Sequence, residues 1–410
     1  MNENTSIHDV AVVGGGPAGL TAAIAIAQSG ANTALVARRL PYADNRTTAL
    51  LGGSIDFLQR LEVWPACKDK AAELRIMRLV DDTGRLIRAP EVRFSCDEIG
   101  LDVFGYNIEN RVLVSALEQR AAALSNLTRF DDEAAAIKPA EDAVAIEAAG
   151  GKTLSARLVV GADGRHSLCR EAAGITVRHR DLHQAALTFN VSHSRPHHNI
   201  STEFHTPHGP CVFVPLPGDR SSVVWVSEPM EVERLMALSD EELSNAAEAR
   251  SHSILGKLRL EAGRNRFPLV IEQPANFAKA RVALVGESAH VVPPIGAQGL
   301  NMGLRDAADI AGIVRDALAA GEDPGSAAAL GRYASARRLD VMSRTFAIDL
   351  ANRSLLSAFL PMQSLRAAGL HLIGSFGPLR RLAMREGLAP SWRTPQAGRS
   401  VRETPVGRSE

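Results

Sequence analysis

Asp9-Val-Ala-Val-Val-Gly14-Gly-Gly16-Pro-Ala-Gly19-Leu20 decides how the rest of this chain is read. Val10 to Val13 is a short apolar run, Gly14-x-Gly16-x-x-Gly19 follows without a break, and Leu20 to Gln28 reads as an Ala- and Ile-rich helix. Strand, phosphate turn and helix come in the order that a dinucleotide requires. Gly14 permits a tight turn, Gly16 lets a pyrophosphate approach the backbone, and Gly19 lets the helix pack on the strand. The helix N-terminus adds free N–H groups and the positive end of its dipole, and Pro17 occupies the first turn, where its missing N–H costs nothing. Pro17 and Ala18 therefore join the three glycines as expected cofactor contacts.

Around that turn, composition sets limits. The chain has 410 residues, enough for two joined domains, since a single core stops growing at roughly 250 to 300 residues. Its 46 basic residues balance 46 acidic ones, so no global field favours nucleic acid or anionic lipid. Cys67, Cys96, Cys169 and Cys211 lie far apart without CxxC spacing, which supplies neither a disulfide framework nor a zinc site and fits a reducing, cytoplasmic setting. The histidines from His179 to His208 lack the spacing of a metal site on one strand, and no metal is expected. The apolar run at Val10 is broken by glycines, so it reads as neither a signal peptide nor a spanning helix. A soluble or peripheral protein is expected.

Further along, Thr33 to Ala37 is a second strand. Folds that bind a ribose 2′-OH commonly place an acid here, whereas Arg suits a 2′-phosphate. Ala37 stands at the acidic position and Arg38 and Arg39 follow, which keeps NADP open as the dinucleotide. Arg46, in a polar loop, suits a phosphate or ribose contact or an ordinary surface position. Arg111 opens a helix expected over Val112 to Leu124, where its charge opposes the dipole, so a phosphate or flavin partner is expected. Asp163-Gly164 follows the strand Ala156 to Val160, at the end of a sheet where ligands collect; Asp163 equally suits a helix cap.

Strand-like segments at Ile76 to Val80 and Leu86 to Phe94, joined through Asp82-Thr-Gly84, read as inserted β structure. Four more, Ala186 to Val191, Ser201 to His205, Cys211 to Val214 and Ser221 to Val226, read as an antiparallel sheet, followed by a charged helical stretch from Glu231 to Arg250. Within that sheet Phe213, Pro215 and Trp225 are candidates for an apolar substrate pocket, or simply core. The chain then returns to the first domain at Arg281 to Val285. Gly286-Glu287 ends this strand, a Pro- and Gly-rich loop follows, and a long helix opens at Gln298-Gly299-Leu300-Asn301. Glu287 suits sugar-like hydroxyls, and the N–H groups near Gly299, Leu300 and Asn301 suit developing negative charge. Another helix is expected over Ser326 to Asn352. Leu355 to Leu388 mixes Leu, Phe and Met with arginines and reads as a helix packed on the body, or as an interfacial or partner surface. The polar tail from Ala389 to Glu410 is expected to be disordered.

At this point the motifs resemble a family. Gly14-x-Gly16-x-x-Gly19, Asp163-Gly164 and Gly286-Glu287 with Pro294 to Asn301 stand in the order found in class A flavoprotein monooxygenases, of the para-hydroxybenzoate hydroxylase fold. The match is closest to the ubiquinone-biosynthesis hydroxylases, through Asp44-x-Arg46, Glu109-Asn110-Arg111-Val112-Leu113, Pro293-Pro294-Ile295 and the stretch from Pro378 to Arg385-Glu386. It spans roughly residues 7 to 388.

The resemblance implies an α/β fold: a discontinuous, Rossmann-like FAD-binding domain of three ββα layers, an inserted antiparallel substrate sheet and C-terminal helices. The chain would divide into FAD-binding parts at 1–75, 99–180 and 276–325, an inserted β segment at 76–98, a substrate domain at 181–275, helices at 326–388 and a tail at 389–410. Gly14, Gly16 and Gly19 would hold the FAD pyrophosphate, with Arg38, Arg46, Arg111 and Asp163 near the cofactor. Glu287 would meet its ribityl or pyrophosphate region, and the loop from Pro294 would border the isoalloxazine. His290 is a weak candidate for a local polar role in catalysis. Electrons would come from NADPH, NADH or a ferredoxin, and O2 would be the co-substrate.

Chemistry in this family runs through a flavin C4a-hydroperoxide, and the implied substrate is a polyprenylated phenol of ubiquinone biosynthesis. A small soluble aromatic is the alternative, and a non-catalytic FAD-binding accessory subunit a third. Flavin halogenases carry Trp-x-Trp-x-Ile-Pro, whose spacing Trp64, Trp225 and Trp392 do not match. A peripheral position on the inner face of a membrane, within a multi-enzyme complex, is an expected setting. Three positions depart from the family pattern: Ala37 replaces an acid, Glu287 an Asp, and Ala297 a Gly.

Overall fold

Val10, Ala11 and Val12 are fully buried because the first strand, Ile7–Val13, runs through the middle of a parallel sheet. A strand with neighbours on both sides and cover on both faces must be apolar where it is covered, and this one is from Val10 to Val13. It pairs in parallel with Thr33–Val36 and with Thr153–Gly161, and beyond these lie Leu127–Phe130 on one side and Val282–Leu284 on the other. Ala134–Pro139, Val144–Ala148 and Ala278–Lys279 add antiparallel pairings to complete eight strands. The first helix, Pro17–Gln28, packs on this sheet and against the helices Asn110–Ala122 and Gln298–Ala319. All of its residues from Gly19 to Ala27 are buried, as its nearly unbroken apolar sequence requires. The computed structural model describes residues 7–39, 45–84, 88–356, 368–369, 371–373 and 375–388. Asp44, 85–87 of the strand expected from Leu86, part of the Leu355 to Leu388 segment and the tail lie outside them.

A second sheet has seven strands in the order Leu258–Pro274, Val177–His193, Arg220–Ser227, Gly209–Leu216, Ile200–Thr206, Ile76–Asp81 and Val92–Ser95. The segment at 76–95 thus joins the sheet built from 177–274, through a parallel pairing of Ile76–Asp81 with Ile200–Thr206. Its second strand spans Val92–Ser95, and Arg88 to Glu91, within the stretch expected as strand, are not in one. Leu258–Pro274, seventeen residues long, escapes a reading by period because Arg and Glu interrupt its apolar positions. The charged stretch after Ser227 forms two helices, Pro229–Ala237 and Asp240–Arg250, separated at Ser239, which caps the second in a reciprocal box with Glu242. A third sheet, Thr47–Leu51, Gly105–Glu109 and Ala71–Leu74, lies between the other two in sequence and was not foreseen from the residue pattern.

Candidate active site

The two large sheets enclose a cavity of about 420 Å³. Stretches distant in sequence reach it. Gly16 to Gly19 come from the first turn, Arg46 to Thr48 from the third sheet, Val285 to Leu300 from the returning loop, and Thr188, Asn190, Ser222, Val224 and Phe267 from the seven-stranded sheet.

At the first turn the three glycines do separate jobs. Gly14 has φ +117°, and a Cβ there would lie 2.1 Å from the Ala162 carbonyl oxygen. A Cβ on Gly19 would lie 2.1 Å from the carbonyl oxygen of Gly14. Both are therefore demanded by the packing of the chain on itself. Gly16 is different, because nothing lies within 4 Å of the position its Cβ would take. That open space is at the N-terminus of the Pro17–Gln28 helix, where a phosphate is favoured. The residues present fit the pyrophosphate of a dinucleotide.

The second loop is held from below. Asp306, fully buried on the Gln298–Ala319 helix, accepts hydrogen bonds from the Gly286 backbone N–H at 2.9 Å and from His290 Nε2 at 2.7 Å. Arg337, also fully buried, pairs with Asp306 at 2.5 Å and with Asp309 and Asp340 at 2.8 Å each. Burial disfavours the charge on Asp306, but Arg337 and His290 outweigh it and hold the carboxyl below its ordinary value. Asp340 also meets Arg305 and Arg344, and Arg344 donates to Gln298 Oε1 at 2.7 Å. The ion network therefore runs under the helix from His290 to the end of the loop. Above it, Gly296 and Ala297 both take left-handed backbone, with φ of 63° and 54°. Ala297 thus adopts the conformation that the family pattern assigns to Gly.

Of the expected cofactor residues, Gly16, Pro17, Ala18, Gly19, Arg46, Glu287, Gly299 and Leu300 line the cavity, with His290 and Pro294. Glu287 is exposed to it, whereas His290 is buried. The side chain of Asn301 is committed within the protein. Its Oδ1 accepts from Leu51 N–H at 3.0 Å and Ser54 Oγ at 2.6 Å, and its Nδ2 donates to the Ala49 and Ala297 carbonyls, so the side chain ties the loop to the third sheet.

Asp163 accepts from Ser167 Oγ at 2.6 Å and from Cys169 N–H at 3.0 Å, the helix-cap role, and Gly164 rather than Asp163 reaches the cavity. Arg111 pairs with Glu109 outside the cavity lining, and Arg38 pairs with Glu133 at 2.5 Å on a half-exposed surface. Burial opposes ionisation of Glu109, but hydrogen bonds from Arg111 and Arg220 outweigh it and keep its carboxyl below the usual range.

Phe213, Pro215 and Trp225 do not line the cavity. Phe213 and Trp225 belong to the core between the seven-stranded sheet and the helices, with Val232, Leu235 and Leu243, and the Pro215 carbonyl accepts from Asn107 Nδ2 at 2.9 Å. The cause is strand parity. Leu187 registers with Trp225 and Phe189 with Val223 on the core face, so Thr188 with Val224 and Asn190 with Ser222 turn to the cavity. Alternation in the sequence marks the two faces but not which of them meets the ligand.

A Gly-turn, a loop on a buried ion network and a cavity between two sheets fit a dinucleotide cofactor, and the chain's relatives give the class, the FAD-dependent monooxygenases. Residues 8–345 match the FAD binding domain family, and the chain belongs to it. It is 32% identical over 407 residues to the ubiquinone hydroxylase UbiL of Rhodospirillum rubrum, covering 98% of this chain and 94% of that one. With the 3-demethoxyubiquinol 3-hydroxylase of Escherichia coli it shares 29% identity over 391 residues, 93% of this chain and 98% of the relative. The crystal structure of p-nitrophenol 4-monooxygenase PnpA from Pseudomonas putida superimposes with a TM-score of 0.78 at 21% identity, over 93% and 98% of the two chains, which shows the shared fold.

Proposed function

We propose that this enzyme hydroxylates the ring of a polyprenylated phenol or quinol on the way to ubiquinone. The observation that carries the reading is the cavity itself, in which a phosphate-ready helix start, a loop bearing Glu287 and a wall of mixed polar and apolar residues from the second sheet face one space. Likeness to ubiquinone hydroxylases over nearly the whole chain supports the substrate class.

When bound, FAD supplies the passage of electrons from NADPH, NADH or a ferredoxin to O2 and the delivery of one oxygen atom to the ring, by the route that the resemblance implies. The chain's own residues bind and orient. Gly16 and the helix N-terminus hold the pyrophosphate, with Arg46 beside it. Glu287 accepts from ribityl hydroxyls, while the Pro294 carbonyl and the amides of Gly299 and Leu300 border the flavin ring. Val224, Phe267, Val291 and Val292 exclude water from the reacting face. Thr188, Asn190 and Ser222 offer the polar groups that align a phenol. A prenylated substrate resides in a bilayer, so the enzyme works as a peripheral protein on its inner face, alone or within a biosynthetic complex.

The test is turnover by the FAD-loaded protein with NADPH and O2, offered either a prenylated phenol or its tail-free analogue. A prenylated product heavier by one oxygen atom is expected. Hydroxylation of the small phenol alone would replace the reading with that of a soluble-aromatic hydroxylase. Anaerobic mixing with NADPH, NADH or reduced ferredoxin, followed by flavin bleaching, identifies the donor.

A further inference from the structure

A surface helix in water turns its apolar side chains inward. The Ala327–Leu356 helix does much of the reverse. Its inner face carries Arg337, Asp340 and Arg344, all buried, while Leu339, Met342, Phe346 and Leu350 are 60%, 57%, 69% and 54% exposed. Those four stand three or four residues apart, so they form one outward stripe.

The Gly377–Leu388 helix repeats the pattern. Met384 is buried against Cys96 and Phe104, whereas Leu379 and Leu382 stand exposed, as do Leu372 and Phe376 just before. Of eleven exposed large apolar side chains among the described residues, eight lie on these two C-terminal segments. Exposed apolar side chains gathered in this way mark each of the two segments as an interaction face.

Charge selects the occupant. Between residues 327 and 350 the only acids are Asp340, which is buried, and Asp349, which pairs with Arg180; between 368 and 388 the sole acid, Glu386, stands against Arg380, Arg381 and Arg385 in the sequence. Arg338, Arg381 and Arg385 are exposed beside the leucines. A second copy docking through the same face would set cations against cations, which is costly. Anionic lipid headgroups complement them, and acyl chains take up the apolar stripe. No helix among the described residues is long and apolar enough to cross a membrane, which leaves docking at the interface.

We infer that the outer faces of the Ala327–Leu356 and Gly377–Leu388 helices dock on a bilayer rich in anionic lipid. The inference deepens the peripheral part of the proposed function and rests on it, and its test needs no substrate.

FAD-loaded protein is sedimented with vesicles of phosphatidylethanolamine and phosphatidylglycerol, or of phosphatidylcholine alone. The wild type is expected in the anionic pellet, the Phe346→Glu, Leu350→Glu double variant about tenfold less so or lower, with its FAD content and thermal unfolding unchanged. The Arg338→Gln, Arg381→Gln double variant should lose preference for the anionic vesicles by about fivefold or more. A wild type that binds neither vesicle overturns the surface and the peripheral reading together. Wild-type binding that survives the double glutamate variant overturns the surface alone. A dimer that dissociates in that variant, with no vesicle binding in either protein, assigns the face to a second copy and also overturns the inference.

Discussion

Two loops bring helix N-termini to one cavity, and they are held in opposite ways. The Gly14 to Gly19 turn is fixed by its own backbone, since Gly14 and Gly19 are pressed against Ala162 and against each other. The Gly286 to Gln298 loop is fixed by charges on helices beneath it, from Asp306 through Arg337 to Arg344. The first arrangement depends on what side chains are absent. The second depends on a cation from a helix that begins thirty residues after the loop ends. The comparison teaches that one fold can make two ligand-facing helix starts, one specified locally and one specified only when the chain closes.

The comparison breaks most sharply at Arg337. Arg337→Met leaves Asp306 and Asp340 buried without their shared cation, and a loss of about 3–5 kcal/mol in denaturant unfolding is expected; a loss under about 1 kcal/mol would show that the loop does not depend on the network. The same variant should alter acid sensitivity. Asp306 has its carboxyl lowered in the folded state from an ordinary 3.8, so its contribution is fully present above that value and fades as pH falls through the folded one. Unfolding measured between neutral pH and about pH 3 should show that decline in the wild type and a shallower one in Arg337→Met.

Next in size is the contrast within the first turn. Gly14→Ala, strained at positive φ and in collision with Ala162, should cost about 3 kcal/mol of stability. Gly16→Val should leave unfolding nearly unchanged but abolish FAD retention, so a variant that purifies fully yellow would remove the pyrophosphate from this turn. Glu287→Ala, at an exposed cavity position, is expected to weaken FAD about tenfold by fluorescence titration without altering stability, and unchanged affinity would cancel its assigned contact. The smallest effect belongs to Ala297→Gly. Relief of the left-handed alanine should stabilise the protein by about 0.5–1 kcal/mol, and any destabilisation would mean that the loop profits from a stiffer residue there.

Local patterns made the parallel-sheet half legible. The apolar run at Val10, the glycine spacing and the Gln298 helix start each express a constraint contained within a dozen residues. The cavity wall was not legible in the same way. Thr188 and Val224 face the ligand space while Leu187 and Trp225 face the helices, and a one-residue shift of register would exchange them. Asn301 carries the residue type of a ligand site yet spends its side-chain hydrogen bonds on Ala49, Leu51 and Ser54, in a distant part of the chain. Long-range partners of that kind leave no mark in spacing.

By itself, then, the sequence determined the dinucleotide turn, the α/β class and the family, because backbone sterics, helix dipoles and apolar runs act between near neighbours. Tertiary structure alone decided which face of the second sheet meets the cavity, which polar residues are already committed, and that a buried arginine underlies the loop lining the cavity. Those outcomes depend on register, packing and desolvation between segments that are separated in the chain, and they come into existence only when the segments meet.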